Sequence, residues 1–111
     1  MYDDWTRDMD DISTASVAKA LAHPARLQIL RLLAREPECR GADLFAEQPL
    51  AQSTVSQHLA TLQEAGVVSS HAVGQGKAYC ISPEILRSFA AEITAMVADV
   101  KPCSVDSEEC R

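Results

Sequence analysis

Apolar positions along this chain follow first a helical and then an extended period, and each switch marks an element. Ile12 to Leu21 is alanine-rich, with Val17 and Leu21 as core candidates, and predicts a helix that His23-Pro24 breaks. Pro24 suits the first position of a second helix, running to about Arg35. Leu27, Ile29, Leu30, Leu32 and Leu33 spread apolar surface so widely over it that a central, largely buried helix is expected. Glu36-Pro37-Glu38 reads as a loop, followed by a short third helix over roughly Gly41 to Glu47 that offers Leu44 and Phe45. Gln48-Pro49-Leu50 turns the chain into a fourth helix, where Val55, Leu59 and Leu62 recur at i, i+4 and i+7. Ala65-Gly66 ends it with the residue best suited to a left-handed cap. Val67–Val73 and Lys77–Ile81 then read as extended runs around Gly74-Gln75-Gly76, a β-hairpin with a three-residue loop. Ser82-Pro83-Glu84 has the cap, first-turn proline and early acid of a last helix. Ile85, Phe89, Ile93, Met96, Val97 and Val100 form one stripe along it.

The fourth helix carries the sharpest functional signal. Opposite its apolar stripe lie Ser53, Ser56, Gln57 and Ala60, small or hydrogen-bonding and uncharged. A solvated face would carry Lys and Glu, whereas this one suits close approach to base edges in a DNA major groove. Two short helices joined by a tight turn and followed by a hairpin make a winged helix-turn-helix, mainly α with a small β-hairpin. Ser53, Ser56 and Gln57 are candidate base contacts, and Gln52, Thr54 and Lys77 candidate phosphate contacts. His58 flanks the apolar stripe and reads as a packed or phosphate-contacting residue in preference to a metal ligand. The last helix either completes the monomer's core or joins subunits. With a core already assigned beneath the second helix, Ile85, Phe89, Ile93, Met96 and Val97 are read as a dimer interface. A homodimer would place two reading helices about 34 Å apart and favour a palindromic operator in double-stranded DNA.

A net charge of −6 at first argues against DNA. It resides in the ends. An acidic tail at 1–11 holds five Asp against Arg7, and residues 103–111 add Asp106, Glu108 and Glu109 against Arg111. Between them, residues 12–102 balance at zero. The chain therefore divides into the tail 1–11, a DNA-binding and dimerisation domain 12–101, and a cysteine-containing tail 102–111. No apolar run is long enough for a membrane span and the N-terminus lacks the pattern of a leader, so a cytoplasmic protein is expected. No glycine-rich phosphate loop, paired-carboxylate motif or nucleophile–base spacing suggests an enzyme, and no cofactor is required.

Leu21-Ala22-His23-Pro24-Ala25-Arg26-Leu27-Gln28-Ile29-Leu30, Gln52-Ser53-Thr54-Val55-Ser56-Gln57-His58-Leu59 and Leu62-Gln63-Glu64-Ala65-Gly66-Val67-Val68 together resemble the ArsR/SmtB family of small winged-helix repressors. The similarity spans about Val17 to Met96, with the matches in the family's order and spacing. It implies a dimeric repressor that leaves its operator when an inducer binds, often arsenite, antimonite or another thiophilic or divalent metal. The chain departs from the family in three places. Members that bind arsenite in the third helix carry Cys-x-Cys before Asp-Leu, whereas this chain reads Cys39-Arg40-Gly41-Ala42-Asp43-Leu44. Members that bind zinc across the last helices use Asp and His there, and this chain has no His after His71. Ala51 stands where many relatives place a serine cap, a change that costs about 1 kcal/mol at a helix start.

The cysteines Cys39, Cys80, Cys103 and Cys110 carry the candidate inducer chemistry, and in a reducing cytosol they are expected to be thiols. Cys103 and Cys110 lie on a polar tail with little packing rationale, and both can reach one soft ion such as As(III) or Sb(III). A third thiolate would come from Cys39, Cys80 or a partner subunit. Cys39 precedes a predicted helix, whose N-terminus favours thiolate, while Cys80 within a strand is as well explained by packing. A redox- or persulfide-responsive repressor is the nearest alternative, and a winged-helix protein-interaction module without DNA binding is a further one.

Overall fold

The computed structural model describes residues 9–36, 41 and 52–102. Along them run α1 (Asp11–Leu21), α2 (Pro24–Arg35), α3 (Gln52–Glu64), β1 (Val68–Val73), β2 (Gly76–Ile81) and α4 (Pro83–Asp99). The predicted fourth helix is therefore α3. The expected third helix, with Leu44 and Phe45, lies outside the described residues apart from Gly41.

Short polar contacts set the helix boundaries. Asp10, read from sequence as part of the acidic tail, caps α1: its carboxylate accepts the Ser13 N–H at 2.8 Å. Hydrogen bonds from Ser13 hold this carboxyl below the usual aspartate range. The cap therefore contributes fully above that range and is lost as pH falls through the lowered value. His23 plays the same part for α2, its Nδ1 accepting the Ala25 N–H at 3.1 Å with Pro24 in the first turn. Ser82 occupies the cap position of α4 but makes no side-chain cap bond, so Pro83 and the first-turn acid Glu84 carry that start signal.

α3 ends in a Schellman motif. The Val67 N–H bonds to the Leu62 carbonyl at 3.0 Å and the Gly66 N–H to the Gln63 carbonyl at 2.9 Å, with Gly66 at φ 81°. Val67 and Leu62, the apolar pair of that motif, are both fully buried. A Cβ on Gly66 would meet nothing closer than Ile85 Cγ1 at 3.7 Å, so the left-handed backbone, and not space, requires glycine. Gly66→Ala is expected to lower stability by about 1–2 kcal/mol. Thermal melting would show it as a lower Tm with the fold retained, and an unchanged Tm would contradict the assignment.

The core lies where α1, α2 and α3 meet the base of the hairpin. Val17, Ile29, Leu30, Leu33, Val55, Leu59, Leu62, Val67 and Val68 form it. The i, i+4, i+7 stripe of α3 is thus the face turned inward. α2 is less enclosed than its composition suggests. Ile29, Leu30 and Leu33 are buried, whereas Leu27 is 36 % exposed.

β1 and β2 pair antiparallel from Val68↔Ile81 to Val73↔Gly76. Gly76 belongs to the ladder, so the loop is the two residues Gly74-Gln75 and not the three expected. Gly74 has φ 59° and no non-glycine residue among the described residues has positive φ, the glycine-first pattern of a II′ turn. The Ser82 N–H closes the hairpin's base on the Val67 carbonyl at 2.8 Å.

The stripe on α4 divides. Ile85, Leu86 and Phe89 pack against the core, so the first half completes the monomer. Ile93, Met96, Val97 and Val100 are 37, 57, 65 and 70 % exposed. Only this second half is an open apolar face of the kind an interface needs. Ile12 on α1, 82 % exposed, is a further uncovered apolar side chain.

Candidate nucleic-acid interface

With Val55, Leu59 and Leu62 turned into the core, the helical period leaves Ser56, Gln57 and Ala60 on the outer side of α3, and all are exposed. Thr54 is half-buried, and the Thr61 hydroxyl donates to the Gln57 carbonyl at 3.2 Å. Gln52 and Ser53 fall within α3, but their side chains lie outside the described residues. The face that is described presents hydroxyl, amide and methyl groups without a charge.

The hairpin is held in fixed relation to this helix. Gln63 Nε2 donates to Ser70 Oγ at 2.8 Å, joining the last turn of α3 to β1 just beyond the Schellman turn. Lys77 is exposed on β2, opposite Ala72 and beside the turn. Reading helix and wing therefore form one rigid corner with a cation on the wing.

His58 departs from its assignment as a DNA contact. Its side chain is only 9 % exposed and turns inward, toward α2. Arg26 Nε donates to its Nδ1 at 3.2 Å, and the His23 ring lies 4.5 Å away, centroid to centroid. Burial first, then the neighbouring His23 and Arg26, hold its pKa below the ordinary 6.5. Of the alternatives open in sequence, the packed residue is the one observed. Metal ligation is disfavoured as well. An Nδ1 that accepts a hydrogen bond leaves the neutral ring's proton on Nε2, and both His58 and His23 use Nδ1 in this way.

Arg26 is the residue that sequence reasoning missed. Its Nη1 donates to the carbonyls of Lys19 at 3.2 Å and Ala20 at 3.1 Å, capping the C-terminal end of α1. An arginine in the first turn of α2 follows no local rule, because the helix dipole there favours acids. That mismatch was the available signal.

The comparisons with known proteins agree with this arrangement. The family model for the bacterial regulatory protein arsR family matches residues 23–70, from the cap of α2 into β1. An HTH-type transcriptional regulator of Mycobacterium tuberculosis is 38% identical over 86 residues, spanning 75% of each chain. The chain belongs to the ArsR family. The arsenic resistance transcriptional regulator ArsR1 of Pseudomonas putida is 38% identical over 69 residues, covering 62% of this chain and 54% of that one. Among solved structures, the homodimeric winged helix-turn-helix DNA-binding domain of a possible ArsR-family regulator from Mycobacterium bovis superimposes with a TM-score of 0.62. Its sequence identity is 33%, over 79% of this chain and 80% of that one.

As an ArsR-family member the chain is a transcriptional regulator with a DNA-binding winged helix-turn-helix, and its relatives are regulators, not enzymes. No helix among the described residues is long and apolar enough to cross a membrane.

The cysteines distribute unevenly. Cys39, Cys103 and Cys110 lie outside the described residues. Cys80 is half-buried on β2, opposite Ser69, and is disulfide-bonded. It departs from the expectation of a thiol: in this form its sulfur has no thiolate to give a metal ion.

Proposed function

We propose that this ArsR-family protein is a homodimeric repressor that reads a palindromic operator with α3 and leaves it when an inducer acts on its cysteines. The uncharged, exposed face of α3, locked to the wing through Gln63 and Ser70, carries the DNA-reading part. Ser56 and Gln57 contact base edges, joined by Ser53, while Gln52, Thr54 and Lys77 contact phosphates. The open half of the α4 stripe, Ile93, Met96, Val97 and Val100, forms the subunit interface, a reading that the homodimeric M. bovis neighbour supports. The protein requires no cofactor and works in the cytoplasm, beside its DNA.

Two single substitutions test the reading face. Lys77→Ala is expected to weaken all duplexes alike and to flatten the dependence of log affinity on log salt by about one unit. Gln57→Ala is expected to lose about 1–3 kcal/mol on the operator and little on random DNA. Equal losses on both duplexes would remove Gln57 from the reading set.

The inducer has two chemistries. Arsenite or antimonite would exchange hydroxides for thiolates of Cys103 and Cys110, with a third from Cys39, a partner subunit or Cys80 once its bond is reduced, releasing water and transferring no electrons in the exchange itself. Alternatively, two thiols join as a disulfide while a peroxide takes the two electrons and leaves as water. The bonded Cys80 favours the second chemistry. β2 is half of the wing, so a covalent bond there reaches the DNA-facing corner directly.

A further inference from the structure

One guanidinium ties three helices together. Arg26, in the first turn of α2, donates through Nη1 to the last carbonyls of α1 and through Nε to His58 in the middle of α3. His58 follows Gln57 directly, so its ring and the reading face lie about 100° apart on the same helix. Whatever holds the ring therefore adds a polar restraint to the rotation that the stripe Val55, Leu59 and Leu62 gives Ser56 and Gln57.

We propose that Arg26 and His58 form a proton-controlled clamp that fixes the rotational position of α3, making both of them positioning residues for DNA recognition. This rests on α3 being the reading helix. With His58 neutral, Nδ1 accepts from Arg26 and the clamp is closed. A proton on Nδ1 turns acceptor into donor. Two donors, each on a cation, then face each other at 3.2 Å, with the His23 ring 4.5 Å away. The contact cannot persist in that state, and α3 loses its polar tie to α1 and α2, keeping only the apolar packing of Val55, Leu59 and Leu62.

The surroundings make the proton unwelcome. His23, from the turn before α2, and Arg26 are the charged groups acting on His58, and both oppose its protonation. α1 contributes the Lys19 and Ala20 carbonyls, which orient Arg26, while Lys19 and Glu64 line the groove beside the guanidinium. Because the folded pKa is lowered, the clamp is fully present above the ordinary imidazole value and is lost as pH falls through the lowered one.

The test compares the full-length wild type with His58→Asn, under reducing conditions, on a duplex from the DNA upstream of the protein's own coding sequence. The Asn Oδ1 takes the place of Nδ1 as acceptor and cannot be protonated. Wild-type affinity is expected to fall, relative to the variant, about tenfold per clamp, and so up to about a hundredfold for the dimer, for each pH unit below the His58 pKa. At pH 7.5 the two should bind alike. His71, exposed on β1, is present in both proteins and cancels in the comparison. Parallel acid profiles would overturn the clamp. Absence of binding at every pH would instead overturn the DNA-reading role beneath it. Because a buried substitution can impair folding, NMR titration of wild-type His58 supplies a second arm. A pKa below 6.5 that rises in Arg26→Ala is expected, and a value that does not move would contradict the clamp.

Discussion

Leu62→Ala is expected to destabilise the protein by about 2–5 kcal/mol, against the roughly 5–15 kcal/mol that holds a typical domain folded. Leu62 has no exposed surface. It closes the inward stripe of α3, and its carbonyl receives the Val67 N–H of the Schellman turn. Truncation would leave a cavity beneath the joint between helix and wing, where little can collapse to fill it. Urea denaturation should show a lower midpoint with an unchanged slope. The surface change Gln57→Ala on the same helix should stay within about 0.5 kcal/mol. A Leu62→Ala loss below that of a surface change would mean that α3 is not seated as described.

Val97→Asp is expected to have the largest effect on function while leaving the fold intact. Val97 is 65 % exposed in the single chain, so a carboxylate there disturbs no packing within the monomer. Across an apolar subunit interface it would bury an unpaired charge, and the dimer should dissociate. Losing the second reading helix removes the gain of bivalent binding, an expected fall of about 10²–10⁴-fold in operator affinity. Sedimentation should find a monomer with a native circular dichroism spectrum. A dimer that persists with unchanged affinity would place the interface elsewhere.

The periodic parts of the chain were legible in advance. The α3 stripe at Val55, Leu59 and Leu62, the glycine cap at Gly66 and the hairpin after it all reflect local rules, in which each residue's burial or backbone angle follows from its neighbours. The rest depended on long-range packing. One continuous stripe on α4 cannot reveal that Ile85 and Phe89 turn to the monomer's core while Met96 and Val97 stay open, because both demands select the same residue types. Leu27 looked as buried as Leu30 for the same reason. His58 was ambiguous because its role depends on Arg26, thirty-two positions away in sequence and 3.2 Å away in space. Asp10 looked like one more acid in a tail until its carboxylate was found on the Ser13 amide. Cys80 as a packed strand residue and Cys80 as a bonded one are the same letter.

The central claim is that cysteine chemistry controls whether this ArsR-family domain holds DNA. The measurement that tests it most directly is fluorescence anisotropy on labelled upstream duplex. The protein is fully reduced, and then treated separately with arsenite and with peroxide. The account predicts tight, steeply salt-dependent binding by the reduced protein. It further predicts release by peroxide or arsenite, reversed by excess dithiol, and loss of the peroxide response in Cys80→Ser. A reduced protein that holds its DNA unchanged through both treatments would contradict the account.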